Sequence, residues 1–93
     1  VRNNNELQAD IDRKNQAEQV LNNPLYKEAF LTLRAHLHTE FEKLTYDKVD
    51  DMKECNRQLK TLGRLEKLFE QTIRTGKAAE KTLTEKLKAM VGR

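Results

Sequence analysis

The sequence has no serine and no tryptophan, one cysteine, one proline and three glycines in 93 residues. Each shortage removes a class of protein. Without serine, a glycine-rich phosphate loop, a paired-cysteine motif or a helical zinc-protease motif, the familiar nucleophilic, phosphoryl-transfer and metal-hydrolytic constellations are missing. The chain is therefore expected not to be an enzyme and to use no cofactor, no metal and no small-molecule substrate. A chain of this length makes at most one domain and buries too little surface for a deep pocket. Aromatic residues are only 5%, and with so few Gly and Pro the balance excludes sandwiches, barrels and Rossmann sheets. Cys55 alone makes neither an internal disulfide nor a zinc site, and it falls on a helical apolar face as a reduced core thiol.

No apolar run exceeds three residues, as at Ala29-Phe30-Leu31, against the roughly 20 that a membrane span needs. The N-terminus lacks the apolar core of a secretory signal, so a soluble, intracellular chain with no membrane partner is expected. Val1-Arg2 fits an initiator Met removed before a small residue, and fits a trimmed chain equally well.

What is present is charge and helical periodicity. Charged residues are 35% and hydrophobic ones 37%, the composition of helices with solvated faces, and an all-α fold follows. Residues 4–22 carry Leu7, Ile11, Ala17, Val20 and Leu21 at loosely helical spacing, a thin stripe that predicts a weak N-terminal helix. Asn22-Asn23-Pro24 then offers an N-cap followed by proline at the first helical position. From there Tyr26, Phe30, Leu33, Leu37, Phe41 and Leu44 recur every three or four residues, predicting a helix over 24–44. Thr45-Tyr46-Asp47 makes a turn, with Thr45 or Asp47 as the cap of a third helix that starts acidic at Asp50 and Asp51.

Met52, Cys55, Leu59, Leu62, Phe69 and Ile73 follow heptad-like spacing to about Thr75, interrupted by Glu66, and Gly76 suits a left-handed helix end. A basic fourth helix is expected over 77–91, with Leu83, Leu87 and Met90 as its stripe. Gly76 either bends the chain back or lets the helix run on. The expected architecture is an antiparallel hairpin, 24–44 and 47–75, with flanking helices in a single domain over 1–93, coiled-coil-like and oligomeric. Its expected core is Tyr26, Phe30, Leu33, Leu37, Phe41, Leu59, Leu62, Phe69 and Ile73.

The net charge of +3 conceals an asymmetry. Residues 1–56 hold 8 Lys/Arg against 11 Asp/Glu, a balance of −3, whereas residues 57–93 hold 10 against 4, a balance of +6. Arg57, Lys60, Arg64, Lys67 and Arg74 line one face of the third helix, and Lys77, Lys81, Lys86, Lys88 and Arg93 extend the field. Such a face suits phosphates on nucleic acid or an acidic partner, and it equally suits a solvated helix back. His36 and His38 project about 200° apart and cannot share a metal, while His36 with Glu40 is a solvated i, i+4 pair. Asp47, Asp50, Asp51 and Glu54 compensate a helix dipole or imitate phosphates.

Leu25, Leu31, Leu65 and Leu68 fall outside the main stripes, and with Leu83, Leu87 and Met90 they are the candidate surface for self-association. A hairpin has one seam and little else to offset the entropy of ordering its backbone, about 1–2 kcal/mol per residue.

Across residues 17–77 the run Ala17-Glu18-Gln19-Val20-Leu21-Asn22-Asn23-Pro24-Leu25, then Glu28-Ala29-Phe30, Thr45 with Asp47, and a closing Thr75-Gly76-Lys77 resembles small all-helical proteins of tailed bacteriophages. Those proteins are encoded among head-assembly and DNA-packaging genes, and Phe41 stands where they carry tryptophan. The resemblance carries over no catalytic residue. It implies a homo-oligomeric interaction protein that meets a larger protein during particle assembly or packaging, in the host cytoplasm or within the particle. The alternatives are a nucleic-acid-binding, small-terminase-like packaging subunit and a small inhibitor of a host protein.

Overall fold

The computed structural model describes residues 2–92. These form three helices and no strand: α1 (Asn4–Leu21), α2 (Pro24–Glu42) and α3 (Val49–Val91). Each start has a local cause. Asn3 Oδ1 accepts from the Glu6 amide at 2.9 Å while Asn3 Nδ2 donates to Glu6 Oε1 at 3.3 Å, which closes the first turn of α1. At Asn23 the backbone is extended, φ −70° and ψ 121°, and its Oδ1 accepts from the amides of Leu25 at 2.9 Å and Tyr26 at 3.1 Å. Pro24 follows at the first helical position, where a missing amide costs nothing.

The connection 43–48 corrects one expectation. Thr45 donates its hydroxyl to the Asp47 carboxylate, and the Lys48 amide donates to the Thr45 carbonyl at 2.9 Å. Both side chains are thus used inside the turn, and neither caps α3. That helix begins where the Met52 amide reaches the Lys48 carbonyl at 3.0 Å, with Asp50 and Asp51 in its first turn as the dipole favours.

Gly76 does not end a helix. No described residue has a positive φ, and α3 runs unbroken through position 76 for 43 residues, so the expected third and fourth helices are one. The chain divides into two compact units, one made of α1 with α3 from Leu68 onward, the other of Asn22–Lys67, which holds α2 and the first part of α3.

In the α1 unit the two helices run in opposite directions, since Lys86 Nζ meets Asn4 Oδ1 at 3.1 Å and Lys14 pairs with Glu80. At Gly76 the two helices approach too closely for a side chain. A Cβ there would overlap the Cβ of Lys14 and stand 2.8 Å from its Cγ and 2.9 Å from the Asp10 carbonyl oxygen. Around that contact Leu7, Asp10, Ala17 and Ala79 are buried. The buried Asp10 carboxylate faces the Arg2 guanidinium, with Arg13 3.8 Å away on the other oxygen.

In the α2 unit Leu37 and Leu62 are buried, and Tyr26, Phe30, Leu59 and Cys55 are half-buried. The Tyr26 and Phe30 rings lie 6.0 Å apart. The expected core needs correction at two places. Leu33 and Phe41 are exposed, at 46% and 39%, because the covered stripe of α2 passes through Phe30, Arg34 and Leu37 instead. Phe69 and Ile73 are half-buried, and both fall in the α1 unit.

The glycines make this packing testable. Nothing lies within 4 Å of a Cβ at Gly63, so Gly63→Ala is expected to stabilise by about 0.5–1 kcal/mol through helix propensity. Gly76→Ala offers the same propensity gain but forces α1 away, and a net loss of about 1–3 kcal/mol is expected. Urea denaturation midpoints should move in opposite directions. Equal gains at both positions would mean that α1 does not seat on Gly76.

Candidate interaction surfaces

One heptad register orders the whole of α3. Met52, Cys55, Leu59, Leu62, Glu66, Phe69, Ile73, Gly76, Glu80, Leu83, Leu87 and Met90 follow alternating steps of three and four without interruption. From Met52 to Leu83 every one of these positions is buried or half-buried. Glu66, which breaks the seam in the sequence, is paired there with Arg34 of α2, whose guanidinium lies 5.1 Å from the Phe30 ring centroid. Glu80 is matched in the same way by Lys14, whose side chain is 12% exposed and also lies 3.5 Å from Glu18. The Lys14 pKa is raised, first by its hydrogen bond to Glu80 and then by the charges of Glu18 and Glu80, against a partial opposition from desolvation.

The candidate basic residues divide between the units. Arg57, Lys60, Arg64 and Lys67 are all exposed on the back of α3 in the α2 unit, and Lys53 belongs with them on the same face. The sequence signal that identifies Lys53 is its seven-residue step to Lys60, which is repeated at Lys67. In the α1 unit Arg74, Lys81 and Lys88 occupy that heptad position, and they too are exposed, as is Lys77 on a neighbouring position. Lys86 keeps its charge but is tied to the start of α1, its ammonium 3.1 Å from Asn4 Oδ1 and 3.5 Å from the Arg2 carbonyl. Arg93 lies outside the described residues.

The candidate apolar residues divide between the units, with Leu25, Leu31 and Leu65 in the α2 unit and Leu68, Leu83, Leu87 and Met90 in the α1 unit. Leu25 and Leu31 are exposed on α2 but six residues apart, about 120° around the axis. Leu65 is 38% exposed and Leu68 61%. Leu83 is half-buried, whereas Leu87 and Met90, next on the same seam, are 60% and 73% exposed. The covered stripe stops one heptad before its pattern does.

The acidic cluster is spent locally: Asp47 accepts from Thr45, Asp50 and Asp51 sit in the first turn of α3, and Glu54 pairs with Arg57 at 3.0 Å. His36 Nε2 is 3.8 Å from Glu40 at an exposed site. Among the described residues no three His, Cys, Asp or Glu side chains are grouped as metal ligands, and no helix is long and apolar enough to cross a membrane. No protein family, curated protein or solved structure matches the chain.

The Lys14–Glu80 pair carries a pH signature. A lysine whose pKa is higher in the folded chain stabilises the fold fully below its ordinary value of 10.5 and loses that contribution as the pH rises through the raised value. The stability difference between the wild type and Glu80→Gln should therefore be flat from neutral pH to about the ordinary lysine value and shrink above it. Urea titrations across that range test this. A difference that stays constant into strong alkali would show that the pair adds nothing through the charge of Lys14.

Proposed function

We propose that the protein is a non-enzymatic helical interaction protein. Its helical hairpin packs in coiled-coil fashion, it forms a homo-oligomer, and it engages a larger protein partner in phage particle assembly or DNA packaging. The phage setting rests on the resemblance across residues 17–77 alone.

The observation that supports self-association is the uncovered end of the α3 seam. Leu87 and Met90 keep the register of buried neighbours, yet their side chains face solvent. Burying one such side chain fully contributes roughly 1.5–3 kcal/mol. Two copies pairing these ends would cover four of them, a useful part of what association needs to offset lost rotational and translational freedom. The chain's own core is small, with Leu7, Ala17, Leu37, Leu62 and Ala79 as the buried apolar residues among those described.

Light scattering on the purified chain tests this reading. The wild type is expected to run well above its 10.9 kDa chain mass, and Leu87→Lys with Met90→Lys to run as a monomer of unchanged helicity, since solvated substitutions stay within about 0.5 kcal/mol. A wild type that stays at monomer mass at high micromolar concentration overturns it.

A further inference from the structure

We infer that the back of α3 from Lys53 to Lys67 is a binding face for the phosphate backbone of duplex nucleic acid, contacted without regard to base sequence. This does not rest on the seam reading, because it uses the opposite side of the helix.

Lys53, Arg57, Lys60, Arg64 and Lys67 are spaced by four, three, four and three residues and are all exposed. They form a rigid line about 21 Å long at 1.5 Å per residue. The fold leaves most of this line without counter-charge. Only two carboxylates lie between residues 53 and 67; Glu66 is turned into the seam and held by Arg34, and Glu54 is paired with Arg57. Among the described residues Lys53, Lys60, Arg64 and Lys67 form no ion pair. Each cation is three or four residues from the next, the spacing at which like charges repel across a helix surface. A surface arranged at that cost gains most from an extended anion that neutralises every member together.

Duplex nucleic acid fits better than an acidic helix. Its two strands present a charge about every 1.7 Å of axis, so a 21 Å line of cations finds phosphates in any register. An acidic helix would have to repeat carboxylates at the same alternating steps. Single strands are disfavoured because no aromatic residue lies between positions 53 and 67 for bases to stack on.

The test is fluorescence anisotropy of a labelled mixed-sequence duplex with the full chain over a salt series. For the wild type, log K should fall linearly with log salt. In Lys60→Gln, Arg64→Gln, Lys67→Gln the slope should be shallower by about 2.7, from about 0.9 per lost phosphate contact, with affinity down at least about tenfold at low salt. Lys27→Gln, Lys43→Gln, Lys48→Gln makes the same change in net charge on other exposed residues and should keep the wild-type slope. Lys60→Arg with Lys67→Arg should bind as the wild type does. Oligomer mass should be unchanged in all of them, which separates failure here from failure of the seam reading. Equal losses in the two glutamine triples, no salt-dependent binding, or retention of poly-glutamate in place of the duplex would each overturn the inference.

Discussion

There is no room for a side chain at residue 76, and much of the α1 unit follows from that. Backbone approaches this close are made between small residues, which is why Ala17 and Ala79 are buried there although α1 has only a thin apolar stripe. With α1 pressed onto Gly76, Lys14 lies along α3 and its ammonium reaches Glu80. The glycine costs α3 about 1 kcal/mol of helix propensity relative to alanine. The helix nevertheless continues, because the residues after it, Lys77-Ala78-Ala79-Glu80, are strong helix formers and α1 covers the weak point.

The start of α2, the all-helical class and the apolar half of the seam were legible in the sequence, because Asn23-Pro24 and the leucine spacing are local signals. The thin stripe of α1 was not. Its seam is Leu7, Asp10, Lys14, Ala17 and Leu21, a regular three-four repeat in which two of five members are charged and one is alanine. A hydrophobicity pattern cannot count Asp10 or Lys14 as interior, since what admits them is the partner that neutralises each: Arg2 for one, Glu80 for the other. Glu66 reads as an interruption for the same reason. It becomes a seam residue only once Arg34 is opposite. Gly76 reads as an end because a glycine in a left-handed turn and a glycine under a crossing helix are identical in sequence, and only the second helix tells them apart.

The candidate surfaces were legible to different degrees. The basic face is a spacing property of one helix, so exposed charges at repeated steps are readable before any fold is known, although Lys53 is visible only when the seven-residue step is extended backwards. The apolar candidates depend on what covers them. Leu83 and Leu87 are equivalent by spacing, yet one is half-buried and the other exposed.

Charged residues therefore do two separate jobs in α3. Within the seam they mark register: Glu66 and Glu80 each find a cation on a different partner helix, and sliding either partner by one heptad would leave a half-buried carboxylate unpaired. Each pair is partly exposed and adds little net stability, yet both favour the observed alignment over a shifted one. On the back cations predominate, and one carboxylate, Glu54, pairs with Arg57. With Glu66 drawn into the seam, Glu54 is the one carboxylate left on the outer face between positions 53 and 67, and that face stays net positive. The alignment of α2 on α3 and the charge of the exposed surface are thus set by the same residue, Glu66, and by the side of the helix it takes.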